Sequence, residues 1–381
     1  MSANAETVAS TLPVAGERAA SLTRQLDLLH RQVRDLHPSV VRMACALYDP
    51  QDDMLKTFIN STVGAEPLAH YQCELQSVPS LLELASRRTD RVIANLPEAL
   101  TSGSEHSRWL LEQGYESSLT LPLYRQKGLL GFLFFDSTER DAFTTSVRRE
   151  LAVYAQVVSL LLNHELSALH TLIGATHVAR DFAHLRDLET GDHLERMARY
   201  SRLIARELAP KRGFSDEFVE HVFLFAPLHD IGKIGVPDRV LLKPGKLDEE
   251  EWRLMAQHVD LGGELVQRII SDFGLGELPN IQTLANIVGC HHEALDGSGY
   301  PKGLRGRQIP IEATIVSTAD IFDALTSHRP NKPAWPVHEA IAELRKLVRM
   351  GRLDTDCVEA LARNLETIDH IRAQFPQSPR S

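Results

Sequence analysis

The chain has 381 residues, 43% apolar and 24% charged, which is ordinary for a folded protein and long enough for two domains. Its formal net charge of −10 argues against a broad surface for nucleic acid or anionic membrane, but not against a small anionic substrate held by local cations. No apolar run approaches the ~18 residues of a membrane span and the polar start has no apolar signal segment. The four cysteines, Cys45, Cys73, Cys290 and Cys357, form no CxxC pair, so a cytoplasmic protein with free thiols is expected.

Residues 1–20 read as a disordered N-terminus, and residues 21–163 as a mixed domain of strands and helices. Val41, Met43, Cys45 and Leu47 alternate as on a half-buried strand. Asp49-Pro50-Gln51-Asp52 predicts a turn, and Met54 to Asn60 a returning strand. Pro79 to Arg87 predicts a helix. Leu119, Leu121 and Leu123 alternate again, and a turn around Gln126-Lys127-Gly128 leads into Leu129 to Phe135, a hairpin signal. An antiparallel sheet with flanking helices, of α+β class, follows. The pattern over residues 21–163 resembles a GAF domain, a small-ligand sensor, without a cysteine context for a covalently held chromophore. A ligand-binding role and a purely scaffolding or dimerising one both fit.

A long linker helix is expected over residues 145–185, across the domain boundary. Val147, Leu151, Tyr154, Val158, Leu161, Ala168, Leu172 and Ala175 fall on spacings of three and four, broken at Glu165. Such a seam either pairs two protomers or packs on its own domains; a homodimer is the favoured expectation.

Residues 164–381 predict an all-α bundle of about seven helices: Asp192 to Leu208, Phe218 to Leu228, a helix opened by Asp248 and Glu251 and reaching His258, Ile281 to His292, Ile311 to Leu325, Val337 to Met350, and Thr355 to Ala373. Chemistry concentrates here. Glu189 and His193, four apart, share a helix face. His229 and Asp230 end an apolar helix, His258 lies on the next, His291 and His292 end another, and Asp320 and Asp323 stand three apart. Buried imidazoles and carboxylates are costly unless paired or metal-bound, so this density points to a metal site. Mixed His and carboxylate donors without Cys favour iron or manganese over a structural zinc. Two or three such ions can stabilise both the attacking and the leaving oxygen of a phosphodiester.

Five segments carry a family resemblance: ETGDH (189–193), HDIGKIGVPDRVLLKPGKL (229–247), QH followed by GGELV (257–266), HHEALDGSGYP (291–301) and ADIFDALTSHRP (319–330). In this order they resemble an HD-GYP phosphodiesterase, a subgroup of the HD metal-dependent phosphohydrolases, over about residues 165 to 350. The resemblance implies hydrolysis of cyclic di-GMP to pGpG, and often on to GMP, with two or three divalent ions. It implies His193, His229, Asp230 and Asp320 as the common ligands, with Asp230 bridging two ions. His258, His291 and His292 match ligands of an additional ion, and Glu189 matches the carboxylate of three-metal members. Lys233 is expected against a substrate phosphate. Gly297, Gly299, Tyr300 and Pro301 form the loop beside the site, and Arg329 and Lys332 match positions that hold guanine or phosphate. Asp323 is expected to contact substrate or to support a ligand. The chain departs from the family at Asn331, where an aromatic is usual, and at Ala294-Leu295; neither is a ligand position.

An alternative function is a weakly active or silent module that binds cyclic di-GMP or docks a partner through the loop, and a third is an HD hydrolase of another nucleotide. His30, His37, His70, His106, His164, His170, His177 and His184 are expected to be ordinary core or surface histidines.

Overall fold

The structure, a computed structural model, describes residues 21–100, 105–125, 128–183, 191–272, 276, 281–328 and 333–376. In the helix ending at Ala183 the side chains are described as far as Ser167, and at Leu169 and Gly174. The N-terminus 1–20, Glu189, Arg329, Asn331, Lys332 and the side chains of Ala168, Leu172 and Ala175 lie outside the described residues.

The N-terminal part begins with α1 (Leu22–Leu36), whose first turn is capped by Ser21 Oγ accepting from Arg24 N. There follow β1 (Val40–Asp49), β2 (Met54–Thr62), β3 (Gln72–Glu74), α2 (Pro79–Arg87), β4 (Arg91–Ile93), α3 (Leu96–Ala99), α4 (Glu105–Glu112), β5 (Ser117–Arg125) and β6 (Gly128–Ser137). The six strands form one sheet in the order β3-β2-β1-β6-β5-β4, antiparallel throughout. Alternation sorts its side chains by face. Met43, Cys45, Leu133 and Phe135 join α1 and the following helix in one core, while Ala46, Leu55, Phe132 and Phe134 pack with α2 on the other.

Helix α5 runs unbroken from Thr145 to Ala183. Leu151 and Val158 of the proposed seam are buried in the N-terminal core, and Val147, Tyr154 and Leu161 pack partly against it. The described part of the seam therefore packs on its own domain.

The C-terminal part is helical: α6 (Gly191–Arg212), α7 (Asp216–Phe225), 3-10 turns at Ala226–Leu228 and Ile231–Gly235, α8 (Asp238–Leu241), α9 (Glu249–Ala256), α10 (His258–Asp272), α11 (Ile281–Cys290), α12 (Ile311–Thr326), α13 (Val337–Arg349), α14 (Thr355–Arg363) and α15 (Leu365–Gln374). Asp248 and Glu251 form the expected capping box, but the helix stops at Ala256. A new one starts at His258, whose imidazole is buried. The expected helix 355–373 is likewise two, divided at Asn364. A single core joins α6, α7, α11, α12, α13 and α14 around Tyr200, Phe225 and Phe322.

The two parts meet through α6 and α7. Glu217 accepts from Leu22 N, Thr23 N and Thr23 Oγ1, at the start of α1. Arg202 lies 3.4 Å from Asp49 and 3.1 Å from Glu220, with its guanidinium 3.3 Å from the Phe223 ring centroid. No described helix is long and apolar enough to cross a membrane.

Candidate metal centre

The chain turns sharply between α7 and α10, and this turn brings the donors together. Gly232 packs directly against α10: a Cβ there would lie 1.8 Å from the His258 carbonyl oxygen and 2.4 Å from Gly262 N. Only glycine permits that approach. It sets His229 and Asp230 opposite His258, while the end of α11 delivers His291 and His292 and α12 delivers Asp320.

Seven of the expected ligands fall into two groups: Asp230, His258, His291 and His292 in one, His193, His229 and Asp320 in the other, with donor atoms within 4.8 Å of one another in each. The groups adjoin, since His229 and Asp230 are neighbours in the chain and the His229 and His291 rings are 5.1 Å apart. Around the Asp230 carboxylate, His229 Nε2 lies 3.0 Å from Oδ2, and His258 Nε2 and His291 Nε2 lie 3.0 Å and 3.5 Å from Oδ1. Asp230 Oδ1, His258 Nε2 and His291 Nε2 are buried without a hydrogen bond.

The other ring nitrogens explain this. His229 Nδ1 donates to Ala226 O at 2.9 Å, His258 Nδ1 to Met255 O at 2.7 Å, and His291 Nδ1 to Ile287 O at 3.1 Å. His193 Nδ1 donates to Asp323 Oδ2 at 2.7 Å. Because a carbonyl oxygen only accepts, the Nδ1 atoms facing one carry the proton and the neutral rings present Nε2 lone pairs. Imidazoles in that tautomer, oriented by backbone or carboxylate acceptors, around an anionic carboxylate, fit divalent cations. Burial alone would raise the Asp230 carboxyl, but Lys233 and His229 outweigh it and hold it well below the usual carboxylate range. Burial pushes His291 down, and burial with the adjacent His291 pushes His292 down to about 2, so both rings stay neutral.

Lys233 Nζ lies 2.7 Å from Asp230 Oδ2, at the rim of the cluster. Tyr300 stacks on His292 with centroids 4.7 Å apart, and Trp252 meets its edge at 5.3 Å. Gly299 is required here, since a Cβ would sit 2.3–2.5 Å from the backbone of Ala294, Glu293 and His292. Gly297 adopts a φ of +79°, and Pro301 follows Tyr300 through a cis peptide bond.

Asp323 differs from the substrate-contacting expectation. Its carboxylate is fully buried and holds His193 Nδ1 and the Arg196 guanidinium, with Arg196 Nε at 2.7 Å from Oδ1. Burial would raise its carboxyl; the bonds from His193 and Arg196 pull it down to about 2. It orients His193 and is closed off from solvent. Arg196, which the sequence offers only as an ion-pair partner for Glu189, instead holds Asp323; one further residue went unnoticed. Glu293, buried behind the loop, accepts from Lys302 N at 2.8 Å and Leu304 N at 2.9 Å and so anchors the chain just after Tyr300-Pro301; its place directly after the His pair was the available signal.

Residues 188–357 match the HD domain family model. The chain is 47% identical over 191 residues to the cyclic di-GMP phosphodiesterase response regulator RpfG of Xanthomonas campestris pv. campestris, covering 50% of this chain and 47% of that protein. It is 39% identical over 208 residues to a cyclic di-GMP phosphodiesterase of Thermotoga maritima (55% and 53% covered). It is 40% identical over 191 residues to the 3′3′-cGAMP-specific phosphodiesterase 3 of Vibrio cholerae (50% and 38% covered). The chain thus spans about half the length of these relatives or less. Among solved structures, the phycocyanobilin-bound GAF domain of a cyanobacterial phytochrome matches 38% of this chain and 86% of its own at 16% identity and a TM-score of 0.32. The donors and the loop described above all lie within residues 188–357, the stretch that is similar to the HD domain family.

Proposed function

We propose that this protein is a metal-dependent phosphodiesterase that opens cyclic di-GMP to pGpG, with GMP as the alternative end product. The observation that carries the reading is the junction of the two donor groups at His229 and Asp230, beside Lys233 and the Tyr300 loop. The donor set suits iron or manganese. Bound divalent ions would supply Lewis acidity toward a phosphodiester oxygen and a nucleophile from water at neutral pH. The chain's own residues do the rest. The Nδ1 bonds hold the rings so that Nε2 faces the ions, and Asp323 fixes His193. The Lys233 ammonium stands where charge builds on the phosphoryl oxygens, and such prearranged charge is worth most in a water-poor site. Tyr300 and Trp252 offer faces for a base. Glu189, Arg329 and Lys332 are assigned to the third ion and to guanine or phosphate by their motif positions.

The N-terminal domain is proposed to regulate this site through the contacts of α6 and α7. Homodimerisation is proposed through α5, where Val153 and Leu160, seven apart, are exposed. The proposed location is the cytoplasm, where free thiols persist.

Similarity to a 3′3′-cGAMP-specific enzyme favours 3′3′-cGAMP as a second substrate reading. Anaerobic purification, metal analysis and incubation with both dinucleotides, with products separated by chromatography, tests both. Appearance of pGpG or GMP, lost in Asp230→Ala, supports the first reading; turnover of 3′3′-cGAMP alone supports the second. Bound iron or manganese with no product from either overturns both and leaves a binding module.

A further inference from the structure

The sheet of the N-terminal domain walls a partly open cavity of about 120 Å³ on the face that α2 and α4 cover. Most of its lining is apolar, including Leu55, Ile59, Leu81, Leu110 and Phe134. The polar lining is cationic or neutral: Arg42, Arg91 and His106, with the hydroxyls of Ser118 and Thr120. None of the described lining residues is Asp or Glu.

The charges are not balanced. Arg42 is buried and paired with Asp136, with its guanidinium 4.9 Å from the centre of the Trp109 ring. Arg91 has no such partner among the described residues. Its Nε is buried without a hydrogen bond, and burial alone pulls the guanidinium below its ordinary value. Burial first, and then the positive charge of Arg42, push His106 down to about 4, so its ring is neutral at physiological pH. Tyr71, Trp109 and Phe134 surround that ring at centroid distances of 6.0, 6.3 and 6.0 Å. A half-buried guanidinium without a counter-ion is costly unless something supplies the charge, and its planar fork suits a carboxylate.

We infer that this cavity is a binding site for a small carboxylic acid with an apolar body, the carboxylate on Arg91 and the body among the aromatic and aliphatic side chains. At about 120 Å³ the cavity is somewhat smaller than the apolar protein cavity of about 150 Å³ that admits benzene, so the acid extends into its open mouth. The inference does not rest on the catalytic reading, because binding is read without nucleotide.

The test is calorimetric titration of the full-length protein with benzoate, phenylacetate and hexanoate, each beside its neutral amide, which has nearly the same shape. At least one acid is expected to bind, with its amide roughly ten- to hundredfold weaker, the range for a charge-assisted bond. Arg91→Met, which keeps the apolar stem, is expected to weaken the acid by the same factor and leave the amide unchanged. Absence of binding by all three acids, equal binding of acid and amide, or undiminished binding of the acid to Arg91→Met overturns the inference. The acid and amide comparison on the unaltered protein decides the matter even if Arg91→Met fails to fold.

Discussion

The Nδ1 atom of His193 lies 2.7 Å from Oδ2 of Asp323, and Arg196 grips the same carboxylate from behind. His193 on α6 is thus oriented by a residue on α12 that itself touches no solvent. The pair fixes both the tautomer of His193 and the spacing of the two helices that carry His193 and Asp320.

Asp323→Ala is expected to lose metal from the His193 side, by about 10- to 100-fold in affinity, as other outer-shell substitutions do. It also leaves the Arg196 charge buried without its carboxylate, at a cost of about 3–5 kcal/mol. Elemental analysis across a metal titration and a urea melt read the two effects separately. Full metal loading with unchanged stability would remove the positioning role.

Lys233→Met should behave differently. Lys233 sits beside Asp230 but offers no lone pair as an ammonium, so metal content should hold while kcat falls about 100- to 1000-fold, the scale seen when one charge-stabilising donor is removed. The comparison is made at saturating cyclic di-GMP, with metal content measured on the same preparation. An unchanged kcat would show that Lys233 only balances Asp230.

At Gly299 the constraint is steric. A Cβ at 2.3–2.5 Å from three backbone atoms of residues 292–294 cannot be accommodated by rotamer changes. Gly299→Ala should therefore shift the loop and unstack Tyr300 from His292, while the ligands on α6, α10 and α12 keep their places. The expected outcome is a KM raised about tenfold or more, equivalent to at least 1.4 kcal/mol of lost binding, with metal retained. Loss of metal instead would show that the loop supports His292 as a ligand.

The clustering of His and Asp donors was legible because metal chemistry demands residue types that folding does not. Adjacent imidazoles at His291-His292 and the His229-Asp230 pair have no competing packing explanation. Asp323 was harder to place. Three residues from Asp320, it reads as sharing a face, yet the helical turn separates the two by about 60°, enough to send one carboxylate to the metal cluster and the other to His193. His258 was placed at the end of a helix because Asp248-Glu251 signals only where a helix starts; the break at Gln257 carries no glycine or proline. In the N-terminal domain the hairpin signals held, whereas β3 and β4 span three residues each, too short for alternation to show. The juxtaposition of Arg91 with His106 joins a strand to a helix fourteen residues later, and no periodicity reports that contact.

The junction of the two domains gives a pH dependence whose sign can be worked out. Burial alone would raise the Asp49 carboxyl, but Lys56 and Arg202 outweigh it and pull it from 3.8 down to about 2. A carboxyl whose folded pKa is depressed contributes stability that is fully present above the unfolded value and is lost as pH falls through the folded one. Asp49→Asn removes that contribution at all pH values. The unaltered protein should therefore exceed the variant in stability by on the order of 1–2 kcal/mol at pH 7 and pH 5, and the gap should shrink between pH 4 and pH 2. Urea melts of both proteins across that range measure it, and their difference reports Asp49 together with the neighbouring Asp52 and Glu220, which share Lys56 and Arg202 with it. Because Asp49 ends β1 and Arg202 lies on the helix that carries His193, the same substitution should also change the rate of the proposed cyclic di-GMP hydrolysis if the domains are coupled along α6. A stability gap that closes on schedule with an unchanged rate would mean that this contact holds the domains together without conveying a signal.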